Sequence, residues 1–503
     1  MANQLYTKLL RRFGTLPTGR EKRQYMQTQQ VELSSQVNNL FEEKLAPDTQ
    51  KSIIVVGAGF AGLSAAYYLA KQGHKVSVME ASNRIGGRVL SDRGNFAKGQ
   101  IIEFGAELIG SNHPQWIGLA KEFGLSFDVV TGEDMFEGAG LTEPLIINGK
   151  PVSEDEAHSL FLNMKPVLDA LTIKSKPIIW DSPWNSPNAA ELDNQSLYAW
   201  FIKQISGMPI PVEDKNLLIS ALVADFENNN VVACDKQSLL AVLAQIKAGG
   251  EDLYWSMTEV FRCSGGNDLL ATRLCEDKRF ELLLNNPVEE IDMQDANMVI
   301  VRTKTAVHQA DYVVLATPPT VWGKIKMDRT IFNLAGQQGP AVKFMSAVTS
   351  RFWIKNGVAP SGLCGGLGMS WEASDNQAEL GDKRFGLSCF AGGSFADNIL
   401  KKGQDEREKY YSDELEKIFK GYIAARQNKH FQSWPAVEWI MTGYSFPALN
   451  EVVNKIKPLN EPYKRMYFAG EHTCAGFWGY MEGALRSGML AAERIQKAIA
   501  ESE

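Results

Sequence analysis

The stretch that decides the fold is SIIVVGAGFAGLSAAYYLAKQGHKVSVMEA, residues 52–81. After Ser52 it begins with a run of apolar, β-branched residues, which is typical of a strand buried on both faces. A glycine-rich turn, a series of small residues and a second apolar run, KVSVME, follow in that order. This order predicts a strand, a turn, a helix and a second strand parallel to the first.

Three glycines between the first strand and the helix, Gly57, Gly59 and Gly62, form the pattern G-x-G-x-x-G. In dinucleotide-binding folds the first permits a tight turn, the second lets a pyrophosphate approach the backbone, and the third lets helix and strand pack closely. The helix N-terminus also offers unpaired N–H groups to phosphate. Glu80 ends the second strand, where an acid accepts hydrogen bonds from ribose hydroxyls. NAD and FAD both fit this pattern.

The bulk composition is that of an ordinary globular protein, with 503 residues of which 44% are hydrophobic and 22% charged. A chain of this length is expected to fold into more than one unit. The net charge of −7 shows no basic excess, which argues against nucleic-acid binding. The six cysteines have no CxxC spacing, so the sequence predicts neither a metal site nor a disulfide framework.

Residues 1–50 are polar and are predicted to form a helical extension. Four apolar residues share one helical face: Leu5, Leu9, Leu10 and Phe13. This favours a helix docked on the protein over an organellar transit peptide or a membrane-surface helix. Arg11-Arg12-Phe13 resembles the start of a twin-arginine signal, but no apolar segment follows it. No run of about 18 apolar residues occurs, so we expect no transmembrane helix and a cytoplasmic location.

A second glycine pair follows in EASNRIGGRV, residues 80–89. Gly87 allows another close approach of backbone to phosphate, and Arg88 adds positive charge. This segment resembles the flavin-containing amine oxidase superfamily, which includes monoamine, polyamine and L-amino-acid oxidases. The resemblance implies that the dinucleotide is FAD.

The resemblance continues through five ordered segments towards the C-terminus. They are FRCSGGNDLLATRL (261–274), NNPVEEIDM (285–293), YVVLATPPTVWGKI (312–325), WPAVEWIMTGYSFPA (434–448) and YFAGEHTCAGFWGYMEGALRSG (467–488). It implies an α/β fold, with a Rossmann-like FAD-binding domain and an inserted α+β substrate domain. We assign 51–120, 256–325 and 436–503 to the FAD domain, and 121–255 and 326–435 to the substrate domain.

The resemblance also implies which residues bind FAD. They are Gly57, Gly59, Ala61, Gly62, Glu80, Ala81, Gly87, Arg88, Gly105, Ala106, Glu107, Val288, Gly470, Glu471, Gly479, Tyr480 and Met481. Gly105 and Ala106 are expected to be small because the backbone passes the isoalloxazine there. Met481 begins a helix whose positive end would stabilise reduced flavin. Gly443 stands where monoamine oxidases carry a cysteine joined to the flavin, so we expect non-covalent FAD.

The reaction implied by the resemblance moves a hydride equivalent from the amine-bearing carbon to flavin N5. Water hydrolyses the imine to a carbonyl compound and ammonia, and O2 reoxidises the flavin to give hydrogen peroxide. The cofactor carries this chemistry, so no catalytic triad is required. The resemblance implies that Lys324 is the lysine beside flavin N5. Lys326, two residues further on, is the alternative if the alignment is shifted by two residues. The same resemblance makes Tyr444 and Tyr480 the aromatic pair that flanks the amine.

The substrate could be an amine without a free α-carboxylate, our first prediction, or an L-amino acid. Leu108 occupies the place where L-amino-acid oxidases carry a carboxylate-binding arginine, although Arg262 could replace that arginine. The long N-terminal extension also resembles L-amino-acid oxidases. Glu107 suits an amine by its charge, unless it turns away into a hydrogen-bonded turn. Trp478 is a further candidate for the substrate pocket.

Two other classes share these motifs: a FAD-dependent C–C desaturase or porphyrinogen-type oxidase, and a flavoprotein without turnover. The tyrosine pair and GYMEGA argue against the first class, and Lys324 with the intact C-terminal motif argues against the second. The segment AAERIQKAIAESE (491–503) cannot form the C-terminal membrane helix of monoamine oxidases, so we expect a soluble protein. Homodimers are common in the family and are one expected assembly.

Overall fold

The structure is a computed structural model, which describes residues 5–14, 50–130, 140–276, 279–295, 297–375, 377 and 384–501. Its strands are β1 (Ser52–Val56), β2 (Lys75–Met79), β3 (Ser91–Arg93), β4 (Ile101–Glu103), β5 (Phe127–Val129), β6 (Leu145–Ile147), β7 (Lys150–Pro151), β8 (Phe261–Cys263), β9 (Glu281–Leu283), β10 (Val288–Asp292), β11 (Val299–Thr303), β12 (Val307–Ala310), β13 (Tyr312–Leu315), β14 (Gln338–Gly339), β15 (Ala341–Val348), β16 (Gly362–Cys364), β17 (Met369–Glu372), β18 (Phe385–Gly392), β19 (Arg426–Ser433), β20 (Tyr444–Ser445) and β21 (Met466–Phe468). Its α-helices are α1 (Leu5–Phe13), α2 (Phe60–Lys71), α3 (Pro114–Glu122), α4 (Glu154–Ser175), α5 (Ala189–Asp193), α6 (Leu197–Ser206), α7 (Val212–Asn230), α8 (Leu239–Ala248), α9 (Tyr254–Met257), α10 (Leu269–Glu276), α11 (Arg329–Phe332), α12 (Gly393–Leu400), α13 (Gln404–Ile418), α14 (Tyr422–Ala425), α15 (Lys457–Leu459) and α16 (Met481–Ala500).

A five-stranded parallel sheet forms the predicted dinucleotide-binding unit, in the order β21-β13-β1-β2-β9. Its central strand β1 is buried from Ile53 to Val56, as its continuous apolar run predicts. Helices α2 and α16 pack together beside this sheet, where the Ser64 hydroxyl donates to the Leu485 carbonyl at 2.7 Å. The turn after β1 and the segment after β13 therefore meet at the carboxyl edge, the usual ligand-binding edge of such a sheet.

A second, seven-stranded sheet runs in the order β19-β15-β18-β17-β16-β6-β7. Its strand β15 is buried along its whole length. Helices from α4 to α9 form a separate hydrophobic core that reaches β16 and β17 of this sheet. The same part of the sheet reaches the cavity described below, since Met369 and Trp371 of β17 belong to this core and also line the cavity.

The strands of the parallel sheet come from the ranges predicted for the FAD domain, and the strands of the larger sheet come from the ranges predicted for the substrate domain. Strand β5, predicted in the substrate domain, instead pairs with β8. The short ladder of β14 with β20 joins the two predicted domains directly beside Tyr444. The exact division into domains stays a prediction.

The N-terminal helix α1 docks on the helical layer. Leu5 and Leu9 are buried, and the Tyr6 ring stacks on Phe161 with ring centroids 6.0 Å apart. The Leu5 N–H donates to Asp225 Oδ1 at 3.1 Å, which fixes the start of the helix. The rest of the predicted extension, residues 1–4 and 15–49, lies outside the described residues. Among the helices that the structure describes, none is long and apolar enough to cross a membrane.

Candidate active site

A large cavity lies between the carboxyl edge of the parallel sheet and the second sheet, and residues of both line it. Most of the predicted site residues line it: Gly57, Gly59, Ala61, Glu80, Ala81, Gly87, Arg88, Gly105, Ala106, Glu107, Leu108, Val288, Tyr444, Gly470, Glu471, Trp478, Gly479, Tyr480 and Met481. Gly62 and Lys324 are not among the lining residues.

The two glycine turns meet at one end of this cavity. Gly57 has a φ of +105°, a left-handed conformation that favours glycine. A Cβ on Gly62 would stand 1.9 Å from the Gly57 carbonyl oxygen, so Gly62 serves the packing of helix α2 rather than the cavity wall. Gly59 and Gly87 approach each other through their backbones and both face the cavity. The result is a side-chain-free cradle at the N-terminus of α2, which suits a pyrophosphate.

Two predicted acids stabilise the walls of this cradle. Glu80 accepts hydrogen bonds from the Ala58 N–H at 2.7 Å and the Ser82 N–H at 2.8 Å. Glu471 accepts from the Gly479 N–H at 2.8 Å and pairs with the Arg88 guanidinium at 2.9 Å. Burial acts to raise the pKa of Glu471, but Arg88 and the hydrogen bonds outweigh it and hold that pKa below its usual value. Arg88 is therefore not a free phosphate ligand but part of a buried ion pair at the cavity wall.

Orphaned polar atoms test whether a flavin fits here. Three lining residues carry buried polar atoms without a hydrogen-bond partner among the described residues: the Thr317 hydroxyl, both ring nitrogens of His472, and the Trp478 indole N–H. Burial lowers the pKa of His472 to about 4, so this ring is neutral and can donate as well as accept. Buried polar groups normally have partners, which a polar ligand in the cavity would supply. The cradle and these atoms together fit a dinucleotide cofactor.

A buried ion pair lies on the opposite wall. Lys343 of strand β15 is 4% exposed, and its Nζ donates to the Glu107 carboxylate at 2.7 Å and to the carbonyls of Glu103 at 2.6 Å and Gly105 at 3.2 Å. The second Glu107 oxygen accepts from the Trp371 indole N–H at 2.9 Å. Glu107 therefore lines the cavity but is already paired. The sequence left open whether Glu107 faces the substrate or turns away into hydrogen bonds. In the structure Glu107 lines the cavity and is hydrogen-bonded at the same time.

The position of Lys324 does not fit its predicted role. Lys324 ends a 3-10 helix, Pro319–Lys324, its side chain is 34% exposed, and its Nζ lies 3.6 Å from Glu438 and over the Trp439 ring. The alternative Lys326 is still more exposed and pairs with Glu290 at 2.7 Å. Both lysines follow the apolar strand β13, but the chain turns them towards solvent. Lys343 is the lysine of the cavity wall.

Tyr444 and Tyr480 come together with further aromatic residues at the other end of the cavity. The Tyr444 hydroxyl donates to the Asn229 carbonyl at 2.8 Å, and its ring lies parallel to Phe390 with centroids 6.4 Å apart. A Cβ on Gly479 would stand 2.6 Å from the Tyr444 ring, so this glycine lets Tyr444 lie beside Tyr480. Burial raises the pKa of both tyrosines, which keeps their hydroxyls protonated.

The cations of the cavity wall are all engaged with protein oxygen atoms. Among the described lining residues, Arg84 donates to the carbonyls of its own turn, Arg88 pairs with Glu471, and Lys343 pairs with Glu107. Arg262, the predicted substitute for a carboxylate-binding arginine, does not line the cavity and is bound to Asp375 and the Ala373 carbonyl. Leu108 faces the cavity without a charge. The wall thus offers no free cation to a substrate carboxylate within the part of the chain that is described.

Two further predicted glycines, Gly105 and Gly443, lie directly against other parts of the protein. A Cβ on Gly105 would lie 2.1 Å from the Arg88 carbonyl oxygen, so the turn that carries Arg88 already excludes a side chain there. A Cβ on Gly443 would lie 2.5 Å from the Ala341 side chain. Even a cysteine would not fit at Gly443 without movement of strand β15. No group of histidine, cysteine and acidic residues among the described residues could hold a metal ion.

Comparison with known proteins decides the family. The model of the family described as flavin containing amine oxidoreductase matches residues 60–496, most of the chain. The chain belongs to this family. It is therefore an oxidoreductase with a flavin cofactor, and the cavity is the candidate for its active site. The α/β architecture expected from the sequence is that of this family.

Curated relatives agree with this assignment, and solved structures share the fold. "Amine oxidase [flavin-containing] A" of Canis lupus familiaris is 26% identical over 469 residues, 89% of this chain and 85% of the relative. The human "Amine oxidase [flavin-containing] B" is 25% identical over 471 residues, 89% of this chain and 86% of its own. Cyclohexylamine oxidase from Brevibacterium oxydans IH-35A shares the fold with a TM-score of 0.74 and 24% identity, over 90% of this chain and 100% of its own. Putrescine oxidase bound to putrescine matches with a TM-score of 0.74 and 21% identity, over 89% of this chain and 99% of its own.

Sequence reasoning missed several lining residues of this amine oxidoreductase: Lys343, Trp371, Phe390, Glu259 and His472. One signal for Lys343 was present. It is the single charged residue in AVKFMSAV, residues 341–348, an otherwise apolar strand, and a lysine buried in such a strand needs a specific partner. Trp371, Phe390 and Glu259 carry no local signal, because only the tertiary fold brings them to the cavity.

Proposed function

We propose that the protein is an FAD-dependent amine oxidase that acts on amines without a free α-carboxylate. The observation that carries this proposal is the charge of the cavity wall. Its described cations are neutralised by protein groups, while its aromatic end holds neutral rings that can accept an amine. A carboxylate next to the amine would have to enter without a counter-charge, at the cost of its desolvation.

Bound FAD supplies the acceptor for the hydride equivalent that leaves the amine-bearing carbon. The residues of the chain orient the substrate for this transfer. Tyr444 and Tyr480 hold the neutral amine between their rings, and the Tyr444 ring is fixed by its hydrogen bond to Asn229 and by Gly479 behind it. Phe390 extends the aromatic wall and excludes water from the amine. Lys343 holds the segment from Glu103 to Glu107 in place at the cavity wall, because its ammonium group binds two carbonyls and the carboxylate of that segment.

A peroxide assay across amines and L-amino acids tests the proposed function. We expect hydrogen peroxide from primary amines, and at least about 100-fold lower kcat/KM for the α-amino acid that carries the same side chain, since an unpaired charge buried in the site costs several kcal/mol. If amino acids are oxidised as efficiently as the amines that lack the carboxylate, the protein is an L-amino-acid oxidase and this proposal is wrong. If neither amines nor amino acids give hydrogen peroxide, the proposed amine oxidase function is wrong.

The flavin is expected to be bound without a covalent bond. None of the described lining residues is a cysteine, and Gly443 has no room for a side chain. Acid denaturation and filtration of the purified protein should therefore leave all the yellow colour in the filtrate. Flavin absorbance that stays with the polypeptide would contradict this expectation, and a tryptic peptide map would then locate the linkage.

A further inference from the structure

Helix α7 ends against the cavity, and its last carbonyl groups need hydrogen-bond partners from outside the helix. The Asn229 carbonyl has one in the Tyr444 hydroxyl, which donates to it at 2.8 Å. The helix stops here because Val231 has a φ of +55°, in the left-handed region that ends a right-handed helix. Asn229 itself lines the cavity. The end of α7 therefore fixes the hydroxyl end of the Tyr444 ring.

Asp225 holds the same turn of α7 in place. The Asn229 side-chain amide donates to Asp225 Oδ1 at 3.0 Å and to the Asp225 carbonyl at 2.9 Å. Asp225 Oδ1 also accepts a hydrogen bond from the Leu5 N–H of helix α1 at 3.1 Å. Burial raises the pKa of Asp225 to about 7, and the Leu5 N–H and the charge of Lys8 oppose this rise. One buried carboxylate oxygen thus joins α1 to the residue that holds Tyr444.

Helix α1 is packed into the protein rather than laid on its surface. The Thr7 hydroxyl donates to the Trp255 carbonyl of helix α9, and the Lys8 side chain is completely buried. The hydrophobic core that contains the apolar face of α1 also contains Trp371 and Trp478, which line the cavity. The position of α1 is therefore tied to the position of the cavity wall.

We infer that helix α1 is a positioning element of the active site, which holds the Tyr444 ring beside the substrate through Asp225 and Asn229. This inference rests on the proposed amine oxidase function, in which Tyr444 flanks the reacting amine. Because the hydrogen bond holds the ring at its hydroxyl, a displaced Asn229 carbonyl displaces the ring. Neither Asp225 nor any described residue of α1 lines the cavity, so both act through Tyr444 and not by contact with the substrate.

The test measures kcat and KM of the flavin-loaded full-length protein, with the amine of the panel above that has the highest kcat/KM. Asp225→Ala removes the shared acceptor and should lower kcat/KM by about 10- to 100-fold, the effect of misplacing a positioning group by about 1 Å. Asp225→Asn keeps an oxygen that accepts from Leu5 and Asn229, so it should retain most of kcat/KM. Leu9→Asn places an amide in the buried face of α1 and should lower kcat/KM as Asp225→Ala does.

Tyr444→Phe separates positioning from folding, because the phenylalanine ring has no hydroxyl for the Asn229 carbonyl to hold. Asp225→Ala added to Tyr444→Phe should lower kcat/KM by less than about 3-fold further, since two changes along one chain of contacts are not additive. A role in folding alone would give the full loss in both backgrounds. Leu9→Asn in the same two backgrounds repeats the comparison if Asp225→Ala does not fold.

Asp193→Ala is the matched control. Its carboxylate is also completely buried and accepts hydrogen bonds from the Ser238 hydroxyl at 2.6 Å and the Val453 N–H at 2.9 Å, but it does not line the cavity. This variant should lower Tm and leave kcat/KM unchanged. The inference is overturned if Asp225→Ala keeps the wild-type kcat/KM, if its loss is as large with Phe at position 444, or if Asp225→Asn loses as much. If the wild type forms peroxide from no amine, the proposed function itself fails and the inference fails with it.

Discussion

Lys343→Met is expected to slow amine oxidation by about 100-fold while the protein keeps its flavin. A shift of about 1 Å in the groups that position a substrate has an effect of this size, and Lys343 positions the segment from Glu103 to Glu107 at the cavity wall. Lys343 is buried, lines the cavity and is held by three oxygen acceptors, so its ammonium group cannot move away from the wall. Stopped-flow absorbance of the flavin, without and with O2, measures reduction and reoxidation separately and shows which of them depends on Lys343.

The same substitution leaves Glu107 without its main counter-charge. Breaking a buried ion pair by removing one partner costs about 3–5 kcal/mol, so Lys343→Met alone should also lower Tm. The double variant Lys343→Met with Glu107→Gln removes the stranded charge, and the Trp371 indole can still donate to the new amide oxygen. We expect the double variant to recover most of the lost Tm but not the lost rate. Recovery of the rate together with Tm would show that Lys343 acts only through folding.

Lys324→Met is the matched control, since it is the same change at the lysine that the sequence favoured. Lys324 is partly exposed, and its ion pair with Glu438 is of the surface kind that contributes about 0–1 kcal/mol. Its rate and Tm should equal those of the wild type. A rate loss in Lys324→Met with no loss in Lys343→Met would restore the original prediction.

Lys324 and Lys343 show which parts of the site can be predicted from the sequence and which cannot. The glycine turns, Glu80 and the strand from Ser52 to Val56 form one continuous segment, so their spacing alone predicts how they lie. Lys343, in contrast, obtains its function from Glu103, Gly105 and Glu107, which are more than 230 residues away in the chain. Such a contact depends on the packing of β15 against the segment after β4. No local pattern contains it, and Lys324 was assigned to the flavin by resemblance alone.

The glycines show a second limit of the sequence. Glycine is required both where a ligand approaches the backbone and where another part of the protein does, and the two cases look identical in sequence. Gly105 was expected to make room for the isoalloxazine, and the Arg88 carbonyl by itself already excludes a Cβ there. Gly62 makes room for the Gly57 carbonyl, as the fingerprint predicts. Gly59 is different, because a Cβ there would meet only the Gly87 Cα, at the ordinary contact distance of 3.9 Å.

Gly59→Ala is therefore expected to leave the fold intact and to weaken FAD binding by about 10- to 100-fold, the effect of overpacking by one methyl group. Gly59 has a φ of −74° and a ψ of 176°, which alanine adopts without strain. The protein has space for the added methyl group, so only a pyrophosphate placed against this turn would collide with it. Titration of the flavin-free protein with FAD, followed by flavin fluorescence, measures the affinity directly.

Two further glycines separate the effect on the ligand from the effect on the fold. Gly62→Ala places a methyl group 1.9 Å from a backbone oxygen, so it should lower the Tm of the flavin-free protein as well as the affinity. Gly323→Ala has open space around its Cβ and no positive φ, so it should change neither quantity. For Gly59→Ala we expect the flavin-free Tm of the wild type, with a smaller rise in Tm on adding FAD, because stabilisation by a ligand follows its affinity. A flavin-free Tm as low as that of Gly62→Ala, or an unchanged affinity for FAD, would show that Gly59 is kept small by the protein and not by the dinucleotide.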